Sequence, residues 1–318
     1  MSAQRDGVEL THLDQPLFDG ADATKQDLVD YLDAVRDRIL PVLRDRPLSV
    51  MRIRPGQEPF MQKNLPKYAP EWVPTARVWA DASRRTITYP LANDWRTLLW
   101  FANQRAVEYH PALAAVSQSG GQDRPTHLIM DIDPPEGAGF GPVAAAAHLV
   151  RRALEELGLA GAVKTSGSKG VHIFVPLDGQ AGTFEVAAVT RAIGARAERL
   201  DPTLATTAFI REDRAGKVFI DSTRAGGATV AAAYSPRIRP GVTVSCPVPW
   251  DDLNQVTPQD FTLRTVPSLL GDRDPWAELM PPPQHLDPHL IEEGHAIPIA
   301  RVQAMHEGKR RARARREG

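Results

Sequence analysis

Two aspartates one residue apart, Asp131 and Asp133, close the run His127-Leu128-Ile129-Met130-Asp131-Ile132-Asp133, and Pro134-Pro135 then forbids further strand pairing. Side chains alternate along a strand, so Ile129, Asp131 and Asp133 share one face and Leu128, Met130 and Ile132 the other. Adjacent carboxylates repel unless a cation sits between them, and oxygen donors of this kind suit a hard divalent ion such as Mg²⁺ or Mn²⁺. The plain alternative is an Asx-Pro turn with solvated acids. A third carboxylate, Asp221, ends the run Lys217-Val218-Phe219-Ile220-Asp221. Carboxylates at the ends of two strands can bridge a pair of ions about 3.5 to 4 Å apart, which is machinery for phosphoryl or nucleotidyl transfer.

The stretch Thr165-Ser166-Gly167-Ser168-Lys169-Gly170 offers glycines that let backbone N–H groups face one anion, two serine hydroxyls and the Lys169 cation. It is not a Walker A loop, because Lys169 follows a serine and the loop leads into the strand Val171-His172-Ile173-Phe174-Val175 rather than a helix. Arg237 and Arg239 alternate onto one face of a proline-rich segment, and guanidinium forks match phosphate oxygens; Arg224 lies nearby in sequence. His110 and His172 each have a bland reading, the first as a surface residue at a helix C-terminus and the second as a satisfied half-core residue.

These groups need a scaffold. Thr24, with Asp27 in the capping-box position, opens a helix to about Leu43, in which Leu28, Tyr31, Leu32, Val35 and Ile39 form the apolar stripe. Leu48 to Arg54 alternates as a strand, with Arg52 and Arg54 on one face. Phe60 to Pro66 reads as irregular, and residues 72 to 90 as two short strands around Asp81-Ala82-Ser83. Asp94 caps a helix expected to reach Tyr109, where Pro111 stops it. Further helices are expected over Pro142 to Leu157, ended by Gly158, and over Phe184 to Leu200, capped by Thr183. Helical pieces follow Trp250, and an extension rather than a core element is expected beyond Pro281-Pro282-Pro283. Strands and helices intersperse in one compact unit, so the class is α/β or α+β.

A chain of 318 residues with 42% hydrophobic and 24% charged content can bury a sizeable core. No run of about 18 apolar residues exists, and the opening MSAQRDGVEL lacks the apolar core of a signal peptide. One cysteine, Cys246, excludes an internal disulfide and any cysteine-rich metal site, which suits a reducing, cytoplasmic compartment. The net charge of -1 conceals a basic tail, since residues 309 to 318 carry six Lys or Arg against one Glu.

Taken in order, Met130-Asp131-Ile132-Asp133-Pro134-Pro135, Lys164 to His172 and Val218-Phe219-Ile220-Asp221 resemble the LigD-type bacterial polymerase domain, of the archaeo-eukaryotic primase superfamily. The likeness extends to Phe60-Met61-Gln62-Lys63-Asn64, Glu108-Tyr109-His110-Pro111, Ala233 to Pro240 and Phe261 to Pro267, over about residues 8 to 280. Within that family the chain is most similar to the stand-alone actinobacterial primase-polymerases that accompany ATP-dependent DNA ligases.

The resemblance implies an α+β, archaeo-eukaryotic primase-like core of mixed and antiparallel sheets flanked by helices, over residues 1–285, with a C-terminal extension and basic tail over 286–318. It implies two Mn²⁺ or Mg²⁺ ions, both bound by Asp131 and Asp133, with Asp221 completing the site that activates the 3′-hydroxyl. Ser166, Lys169, His172 and Arg237 would hold the triphosphate, and Arg224 would restore a contact that relatives make with a glutamine. His110 and Ser166 would sit near the ribose 2′-hydroxyl, favouring ribonucleotides. Lys63, Asn64, Phe60, Lys25 and Arg52 would face DNA, with Phe60 stacking on a template base. The implied enzyme is a monomeric, template-dependent repair polymerase in the bacterial cytoplasm and nucleoid, using NTP or dNTP substrates at short gaps or ends beside an ATP-dependent DNA ligase.

The chain also departs from the family. Gln15 stands where relatives that recognise a downstream 5′-phosphate carry a lysine, Met61 replaces the second aromatic, and Ser222-Thr223-Arg224-Ala225 replaces Trp-Ser-Gln-Asn. A non-catalytic DNA-end or gap-binding scaffold for a ligase is the alternative, and a metal-dependent nuclease or phosphodiesterase a third.

Overall fold

A computed structural model describes residues 3–54, 56–80, 84–116, 122–223, 229–300 and 305. Arg224 and the basic tail at 309–318 lie outside the described residues. The chain divides into two compact units that it enters alternately: Met1–Arg124, Lys164–Ser168 and Gly227–Leu279 form the first, and Pro125–Val163, Lys169–Gly226 and Met280–Gly318 the second. Among the described residues no helix is long and apolar enough to cross a membrane.

In the first unit the helix Lys25–Leu43 begins as its sequence dictates. Thr24 Oγ1 accepts from the Asp27 N–H, and Asp27 returns a carboxylate oxygen to the Thr24 N–H, so two otherwise orphaned donors are satisfied. Its stripe of Leu28, Tyr31, Leu32, Val35, Ile39 and Leu43 is fully buried. The strand Leu48–Arg52 forms the middle of a sheet, with Phe60–Gln62 on one side and Ala106–Pro111 on the other, both antiparallel. Thr75–Ala80 and Arg85–Pro90 pair as the expected hairpin.

Two expectations change here. The first residues of the irregular segment, Phe60–Gln62, are a strand, drawn into the sheet by pairing with Leu48–Arg52. The helix begun at Asp94 runs only over Trp95–Asn103; Arg105 takes a left-handed backbone with φ 59°, and Ala106–Pro111 is a strand. All six residues of that strand are buried, Glu108 and His110 included, although Val107-Glu108-Tyr109-His110-Pro111 alternates apolar and polar residues as a strand does.

In the second unit His127–Asp133 lies between Val171–Pro176 and Val218–Asp221, antiparallel to both, and Ala205–Thr206 runs parallel to Val218–Asp221. The face carrying Leu128, Met130 and Ile132 packs under the helices Gly141–Glu156 and Thr183–Leu200. Gly182, not Thr183, caps the latter, its N–H donating to Glu185 Oε2 at 2.5 Å. Beyond Pro283 the chain does more than extend: Pro288–Ala296 is a helix packed on Thr183–Leu200. Gly294 permits this contact, since a Cβ there would lie 2.0 Å from the Ala188 carbonyl oxygen. Arg191 donates to the Gly294 carbonyl and Arg196 pairs with Glu293 at 2.5 Å.

Candidate active site

Strand register assembles the acidic half of the site. Asp131 lies directly opposite His172 on one neighbouring strand and Asp221 on the other, and Asp133 lies opposite Phe219. Directly opposed residues point to the same face, so all three carboxylates and His172 project together from the sheet. Asp131 is 5% and Asp221 6% exposed, and Asp133 is half-buried. Asp131 Oδ1 stands 3.4 Å from His172 Nε2, while Asp221 Oδ1 accepts from the Thr223 N–H at 2.8 Å and the Thr223 hydroxyl at 2.6 Å.

Two buried like charges on facing strands are costly unless compensated. Arg214 supplies part of the compensation. Its guanidinium lies 3.5 Å from the centre of the Phe219 ring and donates to the Ala208 and Phe209 carbonyls. Burial lowers its pKa, while the charges of Asp133 and Asp221 act to raise it. Among the described residues no three carboxylate or imidazole groups converge into a formed metal-binding group. The donor set is nevertheless oxygen-rich, with Asp131 and Asp221 both buried, which fits a hard divalent ion such as Mg²⁺ or Mn²⁺.

Gly170 sets the end of the loop beside this strand. A Cβ there would meet the Ile132 carbonyl oxygen at 2.1 Å, so only glycine lets the backbone approach so closely. Lys169, next to it, is exposed.

A second polar cluster forms within the first unit. Glu108 and His110 alternate onto one face of Ala106–Pro111, and Glu108 is 5% exposed. Its Oε2 accepts from His110 Nε2 at 2.9 Å and lies 3.2 Å from Arg237 Nε, and its Oε1 accepts from the Ile238 N–H at 2.8 Å. Burial alone would raise the Glu108 pKa, but the His110 hydrogen bond, the Arg237 charge and the Ile238 N–H hold it down at about 2. His110 is shifted down by its own burial, which outweighs the pull of Glu108. The pair is therefore a neutral imidazole against a carboxylate, with Arg237 as the counter-charge.

Arg237 also donates to the Ser166 carbonyl, and Arg239 Nε to Ser168 Oγ at 3.0 Å. Gly167 has φ +66°, and a Cβ there would stand 2.7 Å from Arg237 Cγ and 2.8 Å from Ser245 N. The loop glycines are thus required by close packing as well as by any anion. Lys164, fully buried, donates to the Ala231 carbonyl at 2.8 Å and Ser245 Oγ at 2.6 Å.

The residues expected at DNA divide. Lys63 is exposed and Phe60 half-exposed, with the Arg54 guanidinium 4.8 Å from its ring centre. Asn64 accepts from the Thr88 N–H at 2.9 Å. Lys25 and Arg52 are in the interior instead: Lys25 Nζ donates to the Asn103 carbonyl at 2.9 Å, and Arg52 bonds the Gln104 carbonyl, Gln62 and Tyr68. Burial lowers the Lys25 pKa to about 8.

A family model for the LigD primase-polymerase domain matches residues 24–276. The chain belongs to this family. Among its relatives, the multifunctional non-homologous end joining protein LigD of Mycobacterium bovis is 35% identical over 261 residues, which are 80% of this chain and 34% of that protein. The bifunctional non-homologous end joining protein LigD of Bacillus subtilis is 33% identical over 264 residues, 81% of this chain and 42% of the other. The chain therefore spans well under half the length of these relatives. The polymerase domain of Mycobacterium tuberculosis Ligase D, solved in complex with DNA, superposes with a TM-score of 0.79 at 31% identity, covering 85% of this chain and 96% of that one. These matches establish the α+β primase-like fold and place this LigD-type domain among nucleotidyltransferases of the primase-polymerase superfamily.

Sequence reasoning missed two members of the site. Glu108 lies in a segment read as helix, where Glu108 and His110 would point apart. Arg214 lies in a short 3-10 turn, Arg211–Arg214, whose sequence carries no signal of the carboxylates it approaches.

Proposed function

We propose that this LigD-type domain is a template-dependent repair polymerase that adds one or a few nucleotides at short gaps or ends, preferring ribonucleotides. The observation that carries the reading is the register that sets Asp131 against both Asp221 and His172, with Asp133 on the same face. In the reaction, the primer 3′-hydroxyl oxygen attacks the α-phosphorus, the bond to the pyrophosphate leaving group breaks, and the hydroxyl proton passes to solvent. Asp131 and Asp133 would hold two Mn²⁺ or Mg²⁺ ions and Asp221 one of them. Such ions lower the charge barrier to in-line displacement at phosphorus.

The protein's own groups have separate tasks. Lys169 brings a mobile cation to the phosphates, and Ser166 and His172 add donors. Arg237 is held by Glu108 and the Ser166 carbonyl, so its fork is oriented before any nucleotide arrives. His110 and Ser166 are assigned to the sugar, Phe60, Lys63 and Asn64 to DNA, and an ATP-dependent DNA ligase is the expected partner.

The surroundings of Gln15 do not favour a downstream 5′-phosphate. Beside Gln15, the Arg105 guanidinium is spent on Gln15 Oε1 and the Pro16 and Leu17 carbonyls. The cavity of about 610 Å³ there is lined by Asp19 and Glu58 as well as Arg54 and Arg105. Carboxylates in such a cavity oppose an anion.

The test is extension of a gapped duplex with Mn²⁺ and either ribo- or deoxyribonucleotides. The proposal predicts templated addition with ribonucleotides favoured. Untemplated addition, or a preference for deoxyribonucleotides, would overturn the corresponding part of it.

A further inference from the structure

Glu108 touches three groups, the His110 imidazole, the Arg237 guanidinium and the Ile238 N–H. Its Oε2 takes a hydrogen from His110 Nε2 and faces Arg237 Nε at 3.2 Å, and its Oε1 takes the Ile238 N–H. An ionised carboxylate can only accept, so His110 Nε2 must carry a proton. The ring is neutral, as burial dictates. A neutral imidazole protonated at Nε2 leaves Nδ1 as an acceptor and nothing else. The chemistry presented by His110 is therefore decided by Glu108.

We propose that Glu108 is the positioning residue for sugar selection: it fixes the His110 tautomer, so that Nδ1 accepts from a donor hydroxyl on the incoming nucleotide, and anchors Arg237 and Ile238 alongside. This rests on the nucleotidyl-transfer reading above. A ribose 2′-hydroxyl can donate to that nitrogen; the hydrogen at the same position of a deoxyribose cannot. A site built to hydrogen-bond a hydroxyl discriminates by the acceptor left unpaired when the hydroxyl is missing. The same carboxylate holds the arginine assigned to the triphosphate, so sugar and phosphate recognition share one anchor.

The experiment combines two readouts on the full chain. In wild type labelled with ¹⁵N-histidine and assigned by His110→Gln, the His110 Nδ1 resonance should be of the unprotonated, pyridine type and Nε2 of the protonated, pyrrole type. A protonated Nδ1 overturns the proposal, whether or not any variant folds. In parallel, kcat/KM is measured for ribo- and deoxyribonucleotide addition to a gapped duplex by wild type and Glu108→Gln. The amide cannot enforce the tautomer or neutralise Arg237, so the ribonucleotide preference should fall about tenfold, mainly through KM for the ribonucleotide. An equal loss with both sugars would mean a structural role only and would overturn sugar selection. Absence of any product from wild type removes the nucleotidyl-transfer reading itself, and sugar selection with it, while the nitrogen resonances still report on the tautomer alone.

Discussion

Asp131 and Asp221 face each other directly across two antiparallel strands, and both are almost fully removed from water. A protein selected for stability alone would not place two carboxylates so. The arrangement makes sense if a cation completes it. Removing one charge should then relieve repulsion: Asp131→Asn is expected to unfold in denaturant within about 1 kcal/mol of wild type, or later. Mn²⁺ should raise the wild-type melting temperature and leave that of Asp131→Asn nearly unmoved. An equal Mn²⁺ shift in both proteins would mean that the ion binds elsewhere.

The close approach of Gly170 to the Ile132 carbonyl gives a sharp steric prediction. Gly170→Ala would place a methyl 2.1 Å from that oxygen, so strand and loop must separate. A destabilisation of about 1 to 3 kcal/mol is expected, together with weakened nucleotide binding. Gly139→Ala is the control, because nothing lies within 4 Å of a Cβ there. Chemical denaturation of both variants checks the contrast, which fails if the two behave alike.

Glu108 links stability to pH. Its carboxyl is held at about 2 in the fold against an ordinary 4.5. A carboxyl with a depressed folded pKa contributes stability that is present above the unfolded value and lost as pH falls through the folded one. The advantage of wild type over Glu108→Gln should therefore be constant from neutral pH down to about 4.5 and shrink from there toward pH 2. Urea unfolding of both proteins across that range measures it. An advantage that grows on acidification would refute the assignment of the low pKa to this group.

The helix Pro288–Ala296 should be part of the cooperative fold. Gly294→Ala would drive a methyl to 2.0 Å from the Ala188 carbonyl and push the helix off its neighbour. A loss of about 2 kcal/mol is expected, with faster amide exchange in Thr183–Leu200. Unchanged exchange would show that the docking contributes nothing.

How much of this was legible in the sequence follows from how local each feature is. The capping box at Thr24 and Asp27 and the stripe from Leu28 to Ile39 define their helix with no help from the rest of the chain. The acidic strand ends where Pro134 must end it. Ala106–Pro111 was misread although Val107-Glu108-Tyr109-His110-Pro111 alternates, because the strand follows the helix Trp95–Asn103 after only two turn residues and the helical reading was carried through them. That error hid Glu108. Strand register was also out of reach: sequence puts Asp131 and Asp221 at strand ends, but only long-range pairing sets one opposite the other. The burial of Lys25 and Arg52, both expected to face DNA, was likewise out of reach, since nothing local shows that a cation will be held against a backbone carbonyl.

If the carboxylates of the Asp131 strand carry nucleotidyl transfer, single-nucleotide addition to a gapped duplex in Mn²⁺ by wild type and by folded Asp131→Asn shows it most directly. Templated addition by wild type, abolished by chelation, is expected, with a loss of at least about 10³-fold in the variant. Addition by Asp131→Asn at the wild-type rate would contradict it.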